Sequence, residues 1–242
     1  MDILKRTVRQ ILRPCGWELR QFNEDISLDT YLWGFFKRYN INCVLDVGAR
    51  HGEYGVVLRN NNYKGHIISF EPIEENFQQL QRQSKGDALW QTHHYALGSE
   101  NTTASINVSQ GTNLSSFFKT SDYGKQNMPG IDVKRVETVP IRKLDDIFQE
   151  VMAHIPEPRI YLKMDTQGWD IEVLRGAKNS LAHILALQSE ISLQPLYEGM
   201  PDWTTSLHEF QERGFVISSL FPVWRDENKR LSEMDCVMVK CV

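Results

Sequence analysis

A chain of 242 residues with 41% hydrophobic and 24% charged residues carries enough apolar material for one full-sized core and a short appendage. Its net charge of −4 leaves no nucleic-acid footprint, so nucleic acid is set aside as a partner. Cys15, Cys43, Cys236 and Cys241 form no C-x-x-C pair and have no histidines at zinc spacing, which reads as buried thiols in a reducing compartment and no metal centre.

Met1–Arg13 places Ile3, Leu4, Val8, Ile11 and Leu12 on one helical face and Lys5, Arg6, Arg9 and Arg13 on the other, closed by Pro14 and Gly16. The expectation is a short basic amphipathic helix and linker over residues 1–30, then one domain over 31–242. The basic back faces solvent from a docked helix, or meets an anionic membrane surface or substrate. No stretch approaches transmembrane length and no secretory signal opens the chain, so the expected location is the cytoplasm, including its membrane surface.

From Asn42 onward apolar runs alternate with amphipathic helical stretches, the pattern of an α/β fold with a mostly parallel sheet. Cys43–Val47 reads as a buried strand, broken at Gly48 and Gly52 before a helix containing Val56, Val57 and Leu58. His66–Phe70 is a second strand, ended by Glu71-Pro72 and followed by a helix with Phe77 and Leu80 inward. Trp90–Ala96 is a third strand candidate and Thr103–Val108 a fourth. Gly111–Gly130 is rich in Ser, Asn, Gly and Thr with little apolar periodicity, and reads as a long functional loop. Val136–Ile141 is strand-like and Leu144–Met152 helical. Ile160–Asp165 is a buried strand ahead of the turn Thr166-Gln167-Gly168, and Ile184–Ile191 is the next. A helix beginning at Asp202 runs through Leu207 and Phe210 to Gly214. Phe215–Phe221 and Cys236–Val242 then pair as a terminal antiparallel hairpin, with Cys236 and Cys241 on opposite faces of its last strand.

The most informative stretch is Asp46-Val47-Gly48-Ala49-Arg50-His51-Gly52, between a buried strand and a helix, where α/β sheets bind ligands. A dinucleotide fingerprint needs glycines where Arg50 and Glu53 stand, which counts against a nicotinamide-dependent oxidoreductase. The D-x-G-x-x-x-G pattern matches the loop that cradles the methionine part of S-adenosylmethionine, with Asp46 close to a ligand bearing a sulfonium and an α-amino group. Glu71 ends the second strand, where such folds place an acid on the ribose hydroxyls, because a carboxylate accepts both hydrogen bonds of a vicinal diol.

These motifs occur in a fixed order: VLDVGARHGEYG, SFEP, YALG at Tyr95–Gly98, VPIRKLDDI at Val139–Ile147, YLKMDTQGWDIEVLRGA at Tyr161–Ala177 and LQSEISLQPLYEG at Leu187–Gly199. With them the chain resembles the FkbM family of S-adenosylmethionine-dependent methyltransferases from about Asn42 to the C-terminus. The resemblance implies a Rossmann-like class I methyltransferase fold, with a seven-stranded sheet carrying one antiparallel hairpin at its edge. It implies S-adenosylmethionine as cofactor, held by Asp46, Gly48, Gly52 and Glu71 with Ala96 and Leu97, and O-methylation of a sugar, glycan or natural-product acceptor. Two positions depart from the family pattern. Arg50 stands where Asn is common in the glycine loop, and Gln167 where many members carry Glu in a D-x-E-G turn.

Lys163 and Asp165 share one strand face, with Met164 opposite. Methyl transfer is an in-line displacement, so the protein aligns the reactants and removes the acceptor's proton. Asp165 is the leading candidate for that proton, Glu190 on the next strand a second carboxylate, and Lys163 their partner; Lys163 with Asp165 also reads as a structural ion pair. His93 and His94 alternate faces and stay outside the catalytic set. Thr112, Asn113, Ser115 and Ser116 offer hydrogen bonds or ordinary turn chemistry, and Trp169, Tyr197 and Trp203 offer aromatic faces to an acceptor. Gln167, lacking a base or an anionic metal ligand, keeps a different class open: a non-catalytic α/β binding module.

Overall fold

The computed structural model describes residue 11, residues 13–15 and residues 27–240. The basic amphipathic helix expected at the N-terminus lies mostly outside the described residues, as does Cys241. The described chain falls into two compact units that part between Phe35 and Phe36. The first holds a 3-10 turn, Arg13–Cys15, and most of helix α1, Leu28–Tyr39. Ser27 opens α1, its hydroxyl accepting from the Thr30 amide, and the Tyr31 and Phe35 rings stack one turn apart at 5.7 Å.

The second unit is built on a seven-stranded sheet in the order β3-β2-β1-β7-β8-β10-β9. Its strands are β1 (Cys43–Val47), β2 (His66–Phe70), β3 (Trp90–His93), β7 (Ile160–Met164), β8 (Ile184–Ser192), β9 (Phe215–Arg225) and β10 (Leu231–Lys240). Strands β1, β2, β3, β7 and β8 run parallel; β10 is antiparallel to both neighbours, so the terminal hairpin inserts its second strand beside β8. This is the Rossmann-like class I methyltransferase fold, with the reversal of strand order falling between β1 and β7.

Strands buried on both faces explain the continuous apolar runs. Cys43, Leu45, Val47, Leu162 and Met164 share a core with Leu144, Ile147, Phe148 and Val151 of helix α5 (Leu144–Met152) and with Val173 and Leu174 of helix α6 (Asp170–Arg175). Helices α2 (Glu53–Asn60) and α3 (Glu74–Ser84) bring Gly52, Gly55 and Leu80 to Trp90. Helix α7 (Trp203–Glu212) begins where Asp202 accepts from the amides of Thr204 and Thr205. Cys43 and Cys236 are buried as expected, whereas Cys15 is exposed.

Two expected elements take a different form. The stretch Trp90–Ala96 divides: β3 stays in the main sheet, while β4 (Ala96–Leu97) joins a three-stranded sheet, β4-β6-β5, with β5 (Thr102–Ser109) and β6 (Val133–Arg142). Gly111–Gly130 also contains helix α4 (Asp122–Asn127), whose N-cap Ser121 accepts from the Gly124 amide. Leu114, Phe118, Tyr123, Met128 and Ile131 follow no single period because they converge on Leu196 and Tyr197 in a small core of their own. This segment is pinned to the chain after β8 by a Thr120–Tyr197 bridge and a bond from the Ser121 amide to Leu196 O.

A Cβ at Gly55 would overlap the Trp90 ring. Gly55→Ala should therefore lower the unfolding free energy by roughly 1–3 kcal/mol, although alanine is the better helix former by about 1 kcal/mol. Urea denaturation measures the difference; equal or greater stability would mean that the indole does not pack here.

Candidate active site

The loop after β1 meets the loop after β7 at the switch point. Gly48 has φ 76, and a Cβ there would overlap the Asp165 carbonyl, so only glycine lets the two loops touch. The Gly48 and Ala49 amides both donate to Phe70 O, which ties the same loop to the end of β2.

Behind the loop lies a fully buried ion pair. Asp46 has no solvent exposure and faces Lys163 Nζ at 3.2 Å, while its other oxygen accepts from Ser69 Oγ at 3.2 Å. Trp90 Nε1 donates to Ser69 Oγ at 3.0 Å and continues the chain of contacts. Burial pushes the Asp46 carboxyl up, against the pull of Lys163. Burial also opposes the Lys163 charge, but Asp46 and Asp165 outweigh it and hold the ammonium above its usual range.

Glu71, at the end of β2, is 3% exposed. It accepts from the Arg50 amide at 2.8 Å, the Ile73 amide at 2.9 Å and Asn76 Nδ2 at 3.3 Å. Burial lifts its carboxyl to about 7 even so, because desolvation exceeds those hydrogen bonds. Glu71 lines a cleft together with Phe70, Ile73, Leu97, Ile106, Phe117, Asp165 and Trp169. The Trp169 indole N–H is buried there without a partner.

A second group of polar side chains gathers around Gln167, whose φ is 52. Gln167 Nε2 donates to Asp165 Oδ1 at 3.0 Å and to Glu190 Oε2 at 2.9 Å, and Gln167 Oε1 accepts from the Tyr197 hydroxyl at 2.8 Å. Asp165 is also 3.5 Å from Lys163. Glu190 is held well above the usual carboxylate range by burial and by Asp165, Glu233 and Asp235. Glu233 rises to about 7 for the same reasons, burial first and then Asp165. Among the described residues no group of three His, Cys, Asp or Glu side chains converges as a metal site.

The irregular segment covers the cleft and is clasped at both ends. Arg50 donates to Thr112 Oγ1 at 3.1 Å and Gly111 O at 2.7 Å while pairing with Glu53. Ser116 Oγ donates to Gln167 O at 2.7 Å. Thr112, Asn113 and Ser115 line the cleft between those clasps.

Of the residues expected to hold cofactor, Gly48, Glu71, Ala96 and Leu97 line the cleft. Asp46 lies behind it against Lys163, and Gly52, with φ 90, packs beside Leu80 and Trp90. Of the catalytic set, Asp165 lines the cleft, Glu190 joins it through Gln167, and Lys163 bridges Asp165 to Asp46. Tyr197 is 2% exposed and bonds Gln167, and Trp203 is exposed at the start of α7. His93 stacks on Phe70 and His94 on Phe77. Sequence reasoning missed Arg50 as a clasp, Asn76 as a partner of Glu71, and Glu233 and Asp235 beside Glu190. The last two sit on β10 opposite Ser192 and Glu190, a register that hairpin periodicity alone does not supply.

Fold and cleft together define a class I methyltransferase. Apolar walls suit a flat base, Glu71 Oε2 keeps a lone-pair site beyond its bond from the Arg50 amide, and the Trp169 indole N–H is buried without a partner, so the residues present fit S-adenosylmethionine. The Methyltransferase FkbM domain model matches residues 46–217, and the chain belongs to the FkbM methyltransferase family. Its cofactor is S-adenosylmethionine, and the nicotinamide alternative falls. No curated protein matches. Among solved structures, an uncharacterized protein from Listeria monocytogenes is similar at 12% identity and TM-score 0.47, covering 91% of this chain and 69% of its own. Precorrin-6y C5,15-methyltransferase from Geobacter metallireducens shows 9% identity, TM-score 0.44 and coverage of 91% and 94%. Aeropyrum pernix fibrillarin with bound S-adenosyl-L-methionine shows 10%, 0.43, and 82% and 66%.

Breaking a buried pair costs more than replacing both partners. Asp46→Ala should lose about 3–5 kcal/mol of stability by leaving Lys163 short of its closest counter-charge, and the double variant Asp46→Ala/Lys163→Met should lose less. Denaturant unfolding of both decides; a double variant as unstable as the single would mean that the pair is not the source.

Proposed function

We propose that this FkbM methyltransferase methylates a hydroxyl group on a sugar, glycan or natural-product acceptor, with Asp165 as the group that receives the hydroxyl proton. The observation that carries this reading is the Asp165 carboxylate itself: 38% exposed, lining the cofactor cleft, and joined to Glu190 through Gln167. Bound S-adenosylmethionine supplies a methyl group on a sulfonium, activated for in-line displacement. In that displacement Asp165 would take the proton that the acceptor hydroxyl gives up. Glu190, on the next strand and crowded by Glu233 and Asp235, is held above the usual carboxylate range by burial and by those neighbours. Lys163 holds Asp165 from behind and anchors it to the strand that carries the glycine loop. Trp169 and Phe117, with ring centroids 4.7 Å apart and tilted by 42°, offer aromatic faces of the kind that suit a sugar ring.

Glu71 takes the ribose diol in this reading. Its carboxyl sits near 7 in the free protein and only the ionised form accepts both hydroxyl protons, so binding tightens as pH rises. Calorimetric affinity for S-adenosylmethionine should be about tenfold weaker at pH 6 than at pH 8. Glu71→Ala should weaken it roughly tenfold to a hundredfold and flatten that pH dependence. Unchanged affinity in Glu71→Ala would remove the diol assignment.

Asp165→Asn keeps size and most hydrogen bonding but accepts no proton. It should bind cofactor nearly as the wild type does, while turnover on a true acceptor, followed by mass spectrometry of the methylated product, falls about 10²–10⁴-fold. Full turnover in Asp165→Asn would place the proton acceptor elsewhere. No product with any hydroxyl acceptor, despite tight cofactor binding, would favour the binding-module alternative.

A further inference from the structure

Gln167 stands between two carboxylates, Asp165 and Glu190. Both carboxylates are hydrogen-bond acceptors, so the amide must turn its nitrogen toward them, and Nε2 lies 3.0 Å from Asp165 and 2.9 Å from Glu190. Its oxygen then needs a donor on the far side. Tyr197 provides it at 2.8 Å from a hydroxyl that also lies 3.0 Å from Leu114 O in the covering segment. The backbone carbonyl of Gln167 is fixed independently by Ser116 Oγ. An amide so held fills the space between Asp165 and Glu190 with N–H donors, in the place a cation would need.

We infer that Gln167, oriented by Tyr197, is a positioning residue that holds the Asp165–Glu190 pair together without a metal ion. The inference rests on the methyl-transfer reading for its purpose and on geometry alone for its content. A neutral donor in this place draws two carboxylates to a fixed separation and adds no further negative charge to a neighbourhood that already contains Glu233 and Asp235. Tyr197 acts only through Gln167, and its contact with Leu114 makes the packing of the covering segment part of the same support. The charged groups facing Glu190 are Lys163 and Asp165 from the β7 side and Glu233 and Asp235 from β10, and of these only Asp165 is bonded to Gln167.

The test follows the Glu190 carboxyl by carbon-13 NMR in the full chain, with Glu190→Gln to assign its signal. Hydrogen bonds to the charged form lower a carboxyl's pKa, so removing the donor raises it. Gln167→Met, which keeps the volume and loses both donors, should move the Glu190 midpoint up by about one pKa unit. Tyr197→Phe should move it the same way by less, and should add nothing in the Gln167→Met background. If Gln167→Met unfolds, Gln167→Asn replaces it, since asparagine tolerates the left-handed backbone and its shorter amide reaches one carboxylate at most. Manganese(II) chloride added to the wild type should leave the Glu190 signal unbroadened. An unmoved midpoint in the Gln167 variant overturns the positioning role. Equal Tyr197→Phe shifts in both backgrounds overturn the relay, and selective broadening by manganese overturns the metal-free pair. None of these readouts needs cofactor or acceptor, so their failure leaves methyl transfer standing, and a failure of cofactor binding leaves them unaffected.

Discussion

Lys163 is the side chain on which the two halves of this site depend. Among the described residues it is the one buried lysine or arginine, and it sits in register opposite Asp46, with Asp165 two residues further along its own strand. A buried ammonium is tolerated only when opposite charge outweighs the lost hydration, and a shift of pairing by one residue would turn it to the other face of the sheet. The Asp46–Lys163 contact therefore does more for register than for net stability. It aligns β1 with β7 so that the glycine loop and the Asp165 turn end at the same level. Gly48 can then touch the Asp165 backbone, and both residues line the cleft.

From Lys163 a polar seam runs across an otherwise apolar sheet. On one side it passes through Asp46 and Ser69 to Trp90, and on the other through Asp165 and Gln167 to Glu190. Gln188 continues it beyond, accepting from Tyr161 at 3.1 Å and donating to Asp235 at 2.8 Å. Buried polar groups of this kind are high-stakes, since each unmet donor or acceptor costs about 1–3 kcal/mol. Satisfied, they make the carboxylates of the site as rigid as the strands that carry them. The covering segment joins the same system through Arg50 at one end and Ser116 at the other, so it belongs to the site and is not a passive connection.

How much of this was legible in the sequence differs by residue. The strand carrying Asp46 and the acid at Glu71 were both visible, because a buried run ending in glycine or in Glu-Pro has few other meanings. Their roles were not equally visible. The same acid-after-strand signal marks a cleft-lining carboxylate at Glu71 and an internal counter-ion at Asp46, and only the pairing of β1 with β7 separates them. Gly52 likewise reads as a ligand-loop glycine, whereas its surroundings are Leu80 and Trp90. Glu233 and Asp235 carried no signal at all, since their meaning comes from β10 lying beside β8. Gln167 was seen as a loss. In the folded chain the amide gains two acceptors and a donor that a carboxylate there would meet with repulsion.

The charge distribution draws these points together. Asp46, Asp165, Glu190, Glu233 and Asp235 outnumber Lys163, the one buried lysine or arginine among the described residues, and burial with mutual repulsion holds Glu190 and Glu233 above the usual carboxylate range. Coulomb energy in such a setting favours a cationic ligand over a neutral one of the same shape, which is the difference between a sulfonium and the thioether it becomes. The same excess would also attract metal ions. A neutral amide at position 167 limits the excess on the acceptor side, while Asp46 balances Lys163 out of reach of solvent. Asp165, the carboxylate that lines the cleft, is thereby fixed in place between Lys163 and Gln167, where the proposed reading puts the acceptor hydroxyl.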